Sequence, residues 1–382
     1  MNQRFYSLDV FRGATVALMI LVNNPGSWSH IYPPFKHAPW HGCTPTDLVF
    51  PFFLFAVGNA MAFVMPRLEA AGHKVFFTKV IRRTLLIFGI GLFLNWSPFV
   101  RWQDGELAFK TWENIRILGV LQRIALCYFF ASVIIYFFKA RGAFVAGASL
   151  LLIYWALCLL LGNPPDPFSL EGFWGTALDR QLLGESHIYK GEGVPFDPEG
   201  LASTIPAIVQ VIFGYLVGNY IQQKGKTFEM VTNLFVAGSI LMFAGYCWDM
   251  SFPINKKIWT SSYVLFTVGL ATIVLSVFIY AIEFKNYKGF ITRFFDVFGK
   301  NPLFIFVLSG FLPRVIALFR WVDHTDAEGK PVYTSALPAF SDFLARVVPG
   351  LKNASILYAF IMIAFYWMIV YILDKRKIYI KV

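Results

Sequence analysis

Residues 117–138 read ILGVLQRIALCYFFASVIIYFF, a run of 22 residues whose single formal charge is on Arg123. The hydrocarbon core of a bilayer is about 30 Å thick, and an α-helix needs on the order of 20 mostly apolar residues to cross it. Inside a membrane, every backbone amide must be paired within its own helix. The run therefore predicts a transmembrane helix.

The same pattern recurs along the whole chain. It predicts an all-α polytopic integral membrane helical bundle of about ten transmembrane helices, forming one domain over residues 1–382. Segments 289–298 and 340–348 are shorter and charged, so they are predicted to be interfacial amphipathic helices. The other nine apolar runs centre on residues 14–23, 48–64, 85–95, 144–161, 205–217, 234–247, 264–282, 302–318 and 356–373.

Composition supports a membrane protein and argues against a nucleic-acid binder. The chain is 57% hydrophobic and only 14% charged, whereas soluble domains are typically about 25% charged. The net charge of +11 fits loop charges and attraction to anionic lipid, since no motif of interleaved basic and aromatic residues accompanies it. Membrane lipid is therefore an expected partner, and nucleic acid is not.

Lysine and arginine are distributed unequally between the two sides of the predicted bundle. The side that carries both termini holds 19 of them and the other side 12, so the positive-inside rule places both termini in the cytoplasm. The longest loops on the far side, residues 162–200 and 321–353, are expected to roof a pocket there.

The cysteines are Cys43, Cys127, Cys158 and Cys247, three of them inside predicted spans. No CxxC motif and no suitably spaced histidine accompanies them, so neither a disulfide framework nor a metal site is predicted.

Ionisable residues inside a membrane are costly and are usually functional. Asp9 and Arg12 are three residues apart at the start of the first span and could form an ion pair on one helix face; anchoring of the helix end at the interface is the alternative. Arg116 and Arg123 bracket the start of the fourth span. Such guanidinium groups need carboxylates, phosphates or carbonyls, so structural pairing and ligand binding both stay open.

Three histidines follow the first span, and polar residues flank them. Asn23 ends that span, His30, His37 and His41 lie in the loop, and Asp47 opens the second span. A histidine with a carboxylate partner can act as a base or a nucleophile near neutral pH. The alternative is that these histidines lie at the headgroups as ordinary interfacial residues.

Several motifs together resemble the heparan-alpha-glucosaminide N-acetyltransferase family and its bacterial transmembrane acyltransferase relatives. The most specific is KHAPWHGCTPTDLVFPFF at residues 36–53, and the resemblance extends over essentially the whole chain. It departs at His41-Gly42, where the family has Asn-Gly, so the acceptor need not be heparan. The other motifs are SLDVFRG at 7–13, RILGVLQR at 116–123, GKNP at 299–302 and the tail KRKIYIKV at 375–382.

The resemblance implies an N-acetyltransferase of the inner (cytoplasmic) membrane. Acetyl would pass from cytosolic acetyl-CoA, as co-substrate, to the amine of a glucosamine-type sugar on the periplasmic face, without a metal. By matching motif positions, the catalytic residues would be His37, Asn23 and Asp47. The residues matched to cofactor binding are Asp9, Arg12, Arg123, Asn301 and Lys381, and Arg82 and Arg83 are further basic residues on the cytoplasmic side.

The alternative function is a secondary transporter for an amino sugar such as N-acetylglucosamine or N-acetylmuramic acid, because bacterial relatives are also associated with amino-sugar uptake. Asp9, Arg12, His37 and Arg123 would then line a permeation path. For an enzyme, a ternary complex and an acetyl-enzyme both stay open. So does the oligomeric state, with a homodimer as one alternative.

Overall fold

The computed structural model describes residues 5–380, and helices dominate this range. Lys381, one of the residues matched to cofactor binding, lies outside the described residues. The helices are α1 (Tyr6–Asn23), α2 (Val49–Ala70), α3 (His73–Trp96), α4 (Val120–Leu161), α5 (Trp174–Leu183), α6 (Leu201–Lys224), α7 (Phe228–Trp248), α8 (Ser261–Ile279), α9 (Phe290–Lys300), α10 (Pro302–Ile316), α11 (Ala336–Val347) and α12 (Leu351–Lys375).

The prediction of an all-α membrane bundle is confirmed. Within residues 5–380, seven helices are long and apolar enough to cross a membrane, or eight if the bent pair α9 and α10 forms one span. The predicted number of ten is approximate. Two of the predicted runs lie in one helix, α4, and α3, which contains another, is not among the seven. The 42-residue α4 breaks at Lys139, where φ is 57°, and the first half of α3 carries four cations.

Two short antiparallel hairpins were not predicted. β1 (Val100–Gln103) pairs with β2 (Glu106–Phe109), and β3 (Arg320–Thr325) pairs with β4 (Pro331–Ser335). Asp104 and Gly105 join β1 to β2 with positive φ values of 51° and 87°, as a two-residue hairpin turn requires. The hairpins lie in connections between helices, so the bundle remains the organising unit.

Both segments predicted to be interfacial are helical. α9 meets α10 at an angle of 79°, with Asn301 at the junction. α11 directly follows β4 and packs against α12.

Many apolar side chains on the outside of the bundle are uncovered. Phe235, Ile240 and Phe243 on α7 are 46%, 62% and 66% exposed. In water this would be a large apolar patch, whereas acyl chains solvate it at no cost. The exposed surface of α7 is therefore a lipid-facing surface.

Glycines allow the closest helix contacts inside the bundle. A side-chain carbon on Gly58 of α2 would overlap a backbone oxygen of α6, and one on Gly13 of α1 would overlap a backbone oxygen of α9. Close backbone approach at small residues is the main way that helices pack in membranes. The α1–α9 contact also sets the position of the α9–α10 junction beside the start of α1.

The bundle has two ends, which we call the N-terminal face and the loop face. At the N-terminal face, the start of α1 meets the α9–α10 junction and the C-terminal segment 376–380, since Asn301 bonds to both Ile378 and Ile380. At the loop face lie the connections after α1, before α6 and before α8. The 18 residues of α1 separate the two faces by about 27 Å, at 1.5 Å per residue.

The loop at residues 162–200 folds over the loop face and contains α5. Asp179 of α5 is 2% exposed, and its Oδ1 accepts a hydrogen bond of 2.9 Å from the backbone N–H of Leu201 at the start of α6. Burial raises the pKa of the Asp179 carboxyl to about 7, against the effect of that hydrogen bond. Between about pH 4 and pH 7, the Asp179 carboxyl is thus mostly protonated, whereas an ordinary aspartate is ionised.

Asp179→Asn is expected to make the stability of the protein less sensitive to pH. The folded carboxyl keeps its proton up to about pH 7, whereas the unfolded one loses it near pH 4. The stability that this group contributes is therefore fully present below the unfolded pKa and is lost as the pH rises through the folded pKa, by about 4 kcal/mol in total. Asparagine stays neutral and can still accept from Leu201.

The measurement is the thermal unfolding midpoint in detergent at about pH 5 and pH 8. Glu171→Gln, an exposed carboxylate of the same loop, is the matched control and should behave like the native chain. An unchanged pH dependence in Asp179→Asn would contradict the assignment.

Candidate active site

A cavity of about 220 Å³ opens at the loop face. It lies between three connections, those after α1, before α6 and before α8, and Arg116, just before α4, also lines it. Three aromatic rings, Trp40, Tyr189 and Trp259, line it beside charged side chains from all three connections. Aromatic rings with a few convergent polar groups are the usual lining of a small-molecule site.

Asp47 is fixed at the wall of this cavity. A 3-10 turn, Pro45–Leu48, leads into α2 and buries the Asp47 side chain to 2% exposure. Its Oδ2 accepts hydrogen bonds from the backbone N–H of Ala38 at 3.0 Å, and from the N–H and hydroxyl of Thr44 at 3.1 and 3.0 Å. Asp47 therefore ties the second half of the loop after α1, at Ala38 and Thr44, to the start of α2.

His37 takes the remaining oxygen of that carboxylate. His37 Nδ1 lies 2.6 Å from Asp47 Oδ1, and the imidazole is 48% exposed at the cavity. In residues 5–380 the hydrogen bonds of His37 all use Nδ1, which leaves Nε2 open. With Nδ1–H donating to Asp47, Nε2 carries the lone pair of a base or a nucleophile.

Two lysines from the connection before α8 complete this wall, and sequence reasoning missed both. Lys256 Nζ lies 3.1 Å from His37 Nδ1 and 3.4 Å from Asp47 Oδ1. Burial lowers the pKa of the Lys256 ammonium, while Asp47 acts in the opposite direction. Lys257 instead bonds Glu192 at 2.5 Å and the Pro39 carbonyl at 2.8 Å. In the sequence the two were only loop charges.

Arg116 forms the opposite wall as part of an ion-pair network. It donates to Asp197 through Nε at 2.9 Å and Nη2 at 2.5 Å, and Nη2 also donates to Glu199. Burial opposes its charge, but Glu199 and Asp197 outweigh burial and raise the pKa of the guanidinium. Of the two alternatives for Arg116, structural pairing and ligand binding, the structure shows structural pairing. The guanidinium also lies 4.8 Å from the centre of the Tyr189 ring.

Comparison with known proteins supports the resemblance predicted from the motifs. The heparan-alpha-glucosaminide N-acetyltransferase of Mus musculus is 26% identical, in an alignment covering 83% of this chain and 55% of the mouse protein. The Homo sapiens protein of the same name is 27% identical, with 80% and 52% covered. The chain is a distant relative of the heparan-alpha-glucosaminide N-acetyltransferases. It spans about half the length of the curated relatives it matches, and no family model matches it.

Arg123 was assigned to the cofactor by similarity to the heparan-alpha-glucosaminide N-acetyltransferases, but it does not lie with the other residues of that group. It is fully buried in the first turn of α4, near the loop face, where it donates to Gly200 and Ser203. Its guanidinium stacks 5.2 Å from the ring of Trp259. Its Nε and Nη1 have no hydrogen-bond partner within the described part of the chain.

The remaining polar residues around the histidine loop are not part of the cavity wall. Asn23 ends α1 on the same face, with an exposed side chain, and no hydrogen bond joins it to His37 or Asp47 anywhere in the described range. His30 bonds Ser27 at 3.3 Å, and His41 lies 3.4 Å from Asn255. Among the histidines of this loop, His37 is thus the one that the fold brings to the cavity wall.

Cys43 is the other potential nucleophile in this loop, and its environment disfavours that role. Burial raises the pKa of the Cys43 thiol to about 12, and the charge of Asp47 adds to the effect. The thiolate is the reactive form of cysteine. Cys43 is therefore inert at neutral pH. Among residues 5–380, no three histidine, cysteine or acidic side chains gather as metal ligands.

Asp9, Arg12 and Asn301, also matched to the cofactor, meet at the N-terminal face. Arg12 bonds Asp9 at 2.8 Å and the carbonyl of Gly299 at 2.8 Å. Asn301 is fully buried and ties the junction to the C-terminal segment. The predicted Asp9–Arg12 ion pair is present, and the second contact of Arg12, with Gly299, joins α1 to α9.

A pocket begins beside these residues and enters the bundle. One part, of about 400 Å³, is lined by Asp9, Arg12 and Arg67; the other, of about 380 Å³, is lined by Arg12, Arg83 and Lys300. The two parts share Arg12 and a stretch of α2, and we call them together the interhelical pocket. Its mouth is basic and its interior is apolar.

Proposed function

We propose that this protein is a transmembrane acetyltransferase that takes acetyl from acetyl-CoA at the N-terminal face and transfers it to the amine of a glucosamine-type sugar at the loop face. The distant relationship to the N-acetyltransferases supports the reaction class. The geometry supports the direction, because the basic interhelical pocket and the His37 cavity lie at opposite ends of the bundle.

One observation carries the proposal: the interhelical pocket extends through about half of the membrane depth toward the cavity. It follows α2 from Val64 to Phe53, about 16 Å at the helical rise. It also reaches Leu121 and Ile124, which flank Arg123 in the sequence. Arg123 stacks on Trp259, a wall residue of the loop-face cavity. Arg123 is thus next to Ile124 of the pocket in the sequence and in contact with Trp259 of the cavity wall.

The donor fits this pocket by its chemistry. Acetyl-CoA carries charged phosphates at one end and a thioester on a long flexible arm at the other. Guanidinium groups bind phosphates well, and Arg12, Arg67 and Arg83 stand at the wide, basic end. The apolar interior between α2, α3 and α4 would surround the arm.

The chain's residues account for the remaining chemistry. His37 Nε2 would take a proton from the sugar ammonium, so that the free amine can attack the thioester carbonyl. The new C–N bond forms, the C–S bond breaks, and the departing sulfur receives the second proton that the acylated nitrogen loses, while His37 later releases its own proton to water. The underpaired Arg123 would stabilise negative charge on the carbonyl oxygen. Attack by His37 itself, giving an acetyl-enzyme, uses the same atoms and stays the alternative.

The deciding experiment uses the full chain in proteoliposomes, with labelled acetyl-CoA on one side and glucosamine on the other. Acetylated sugar should appear on the side opposite acetyl-CoA, and only for one orientation of the protein. Sugar crossing the membrane without acetylation, with no CoA binding, would overturn the proposal in favour of an amino-sugar transporter.

Arg83→Met is expected to weaken CoA binding by about tenfold or more. Arg83 lies over the ring of Tyr128 at 4.8 Å and lines the pocket. Its Nε has no hydrogen-bond partner among the residues the structure describes. The guanidinium can therefore donate a hydrogen bond to a phosphate. A hydrogen bond to a charged group contributes about 1.5–3 kcal/mol to the binding free energy. Isothermal titration with CoA measures the change.

Arg82→Met is the matched control, because Arg82 is the adjacent arginine and its side chain is exposed. Its loss should leave CoA affinity within about twofold of native. Equal effects of the two variants would mean that general positive charge, not a built site, attracts the donor.

A further inference from the structure

Lys256 makes two contacts that have opposite consequences for His37. Its Nζ is 3.1 Å from His37 Nδ1 and 3.4 Å from Asp47 Oδ1, while Nδ1 is itself 2.6 Å from that oxygen. One ring nitrogen cannot donate to the carboxylate and accept from the ammonium at once. His37 and Lys256 therefore share one acceptor oxygen of Asp47, and the protonation of the ring decides which contacts are attractive.

The shorter His37–Asp47 contact indicates that Nδ1 carries the proton. Lys256 then donates to Asp47, and Nε2 faces the cavity as a base. If the ring took a second proton, an imidazolium and an ammonium would compete for one carboxylate oxygen at a separation of 3.1 Å. Like charges this close disfavour the doubly charged state, the more so because Asp47 and most of Lys256 are shielded from water.

We propose that Lys256 is a positioning residue whose ammonium keeps the His37 ring uncharged, with its proton on Nδ1 and its lone pair on Nε2. The proposal rests on the acetyltransferase function, in which an amine must give up a proton to His37. Lys256 itself would not touch the reacting atoms.

The other charges around the cavity have partners of their own. Lys257 pairs with Glu192, and Arg116 pairs with Asp197 and Glu199. Among the lysines and arginines that line the cavity, Lys256 is thus the one that contacts the same carboxylate as His37, that of Asp47. The connection before α8 supplies both lysines, so Lys257 is a control of equal charge one residue away.

The test is a pH titration of His37 in the full chain in detergent, with carbon-13 histidine and assignment by the signal lost in His37→Gln. In Lys256→Met the midpoint of the His37 titration should rise relative to native, since a neighbouring positive charge is gone. Lys256→Arg keeps the charge and should give the native midpoint. Lys257→Met should give a much smaller rise.

Native behaviour in Lys256→Met, or equal rises in both methionine variants, would overturn the proposal. If Lys256→Met does not fold, Lys256→Gly is titrated with and without an added alkylammonium ion. A His37 midpoint that is raised without the amine and native with it supports the proposal. A midpoint that does not depend on the amine overturns it.

Activity gives an independent readout. The pH at which acetyl transfer falls on the acidic side should move upward by the same amount in Lys256→Met, which a merely structural role would not produce. Should the titration shift while the native chain transfers no acetyl, the acetyltransferase function fails and the control of the His37 charge by Lys256 stands.

Discussion

His37→Ala should lower the rate of acetyl transfer by about 10²–10⁴-fold, the usual contribution of a positioned acid–base group. Nε2 of His37 is the open ring nitrogen at the loop-face cavity, and Asp47 fixes the ring from the other side. No other imidazole lines this cavity within residues 5–380. If His37 instead carries the acetyl group, the loss should be at the upper end of that range.

The measurement is the initial rate of transfer from labelled acetyl-CoA to glucosamine, with CoA affinity measured in parallel. CoA affinity should stay native, because His37 is at the opposite face from the basic mouth of the interhelical pocket. His30→Ala is the matched control, since His30 bonds Ser27 outside the cavity. A His37→Ala protein that keeps its rate within tenfold of native would remove His37 from the mechanism.

Arg116→Met is expected to destabilise the folded protein by about 3–5 kcal/mol, as breaking a buried ion pair usually does. The carboxylate of Asp197 is fully buried, and that of Glu199 is 13% exposed. Without the guanidinium, the two negative charges would face each other with no cation between them. The loop before α6 should then loosen, and the cavity should lose a wall.

Thermal unfolding in detergent measures this loss. Arg180→Met is the control within the same loop, because Arg180 pairs with the exposed Glu185 at 3.6 Å, and surface pairs contribute less than about 1 kcal/mol. Neutralising both acids in the Arg116→Met background, with Asp197→Asn and Glu199→Gln, should recover most of the stability. Failure of that recovery would mean that packing of Arg116 on Tyr189, and not charge, holds the loop.

Apolar runs were enough to predict the bundle, because a membrane imposes length and composition on every helix that crosses it. They could not predict the break at Lys139 or the 79° junction of α9 with α10, since both depend on how helices pack. The hairpins were not predicted because strands of four to six residues in polar loops have no period long enough to recognise.

The His37–Asp47 pair was accessible to sequence reasoning because the two residues are ten positions apart in one loop. Lys256 was not, because it is 219 residues from His37 and no local pattern marks such a contact. The same holds for Arg116 and its acids, 81 and 83 residues away. Motif matching grouped Arg123 with the cofactor residues, whereas the direction of α4 brings it to the loop face.

The contact of Arg12 with the carbonyl of Gly299 joins residues 287 positions apart, and this has a consequence for biogenesis. A ribosome adding about 5–20 residues per second makes Gly299 on the order of 15–60 s after Arg12. During that interval α1 waits in the bilayer with Asp9 alone to balance its guanidinium. Nascent chains that stall before α9 would therefore expose an unfinished polar helix, the kind of substrate that membrane quality control removes.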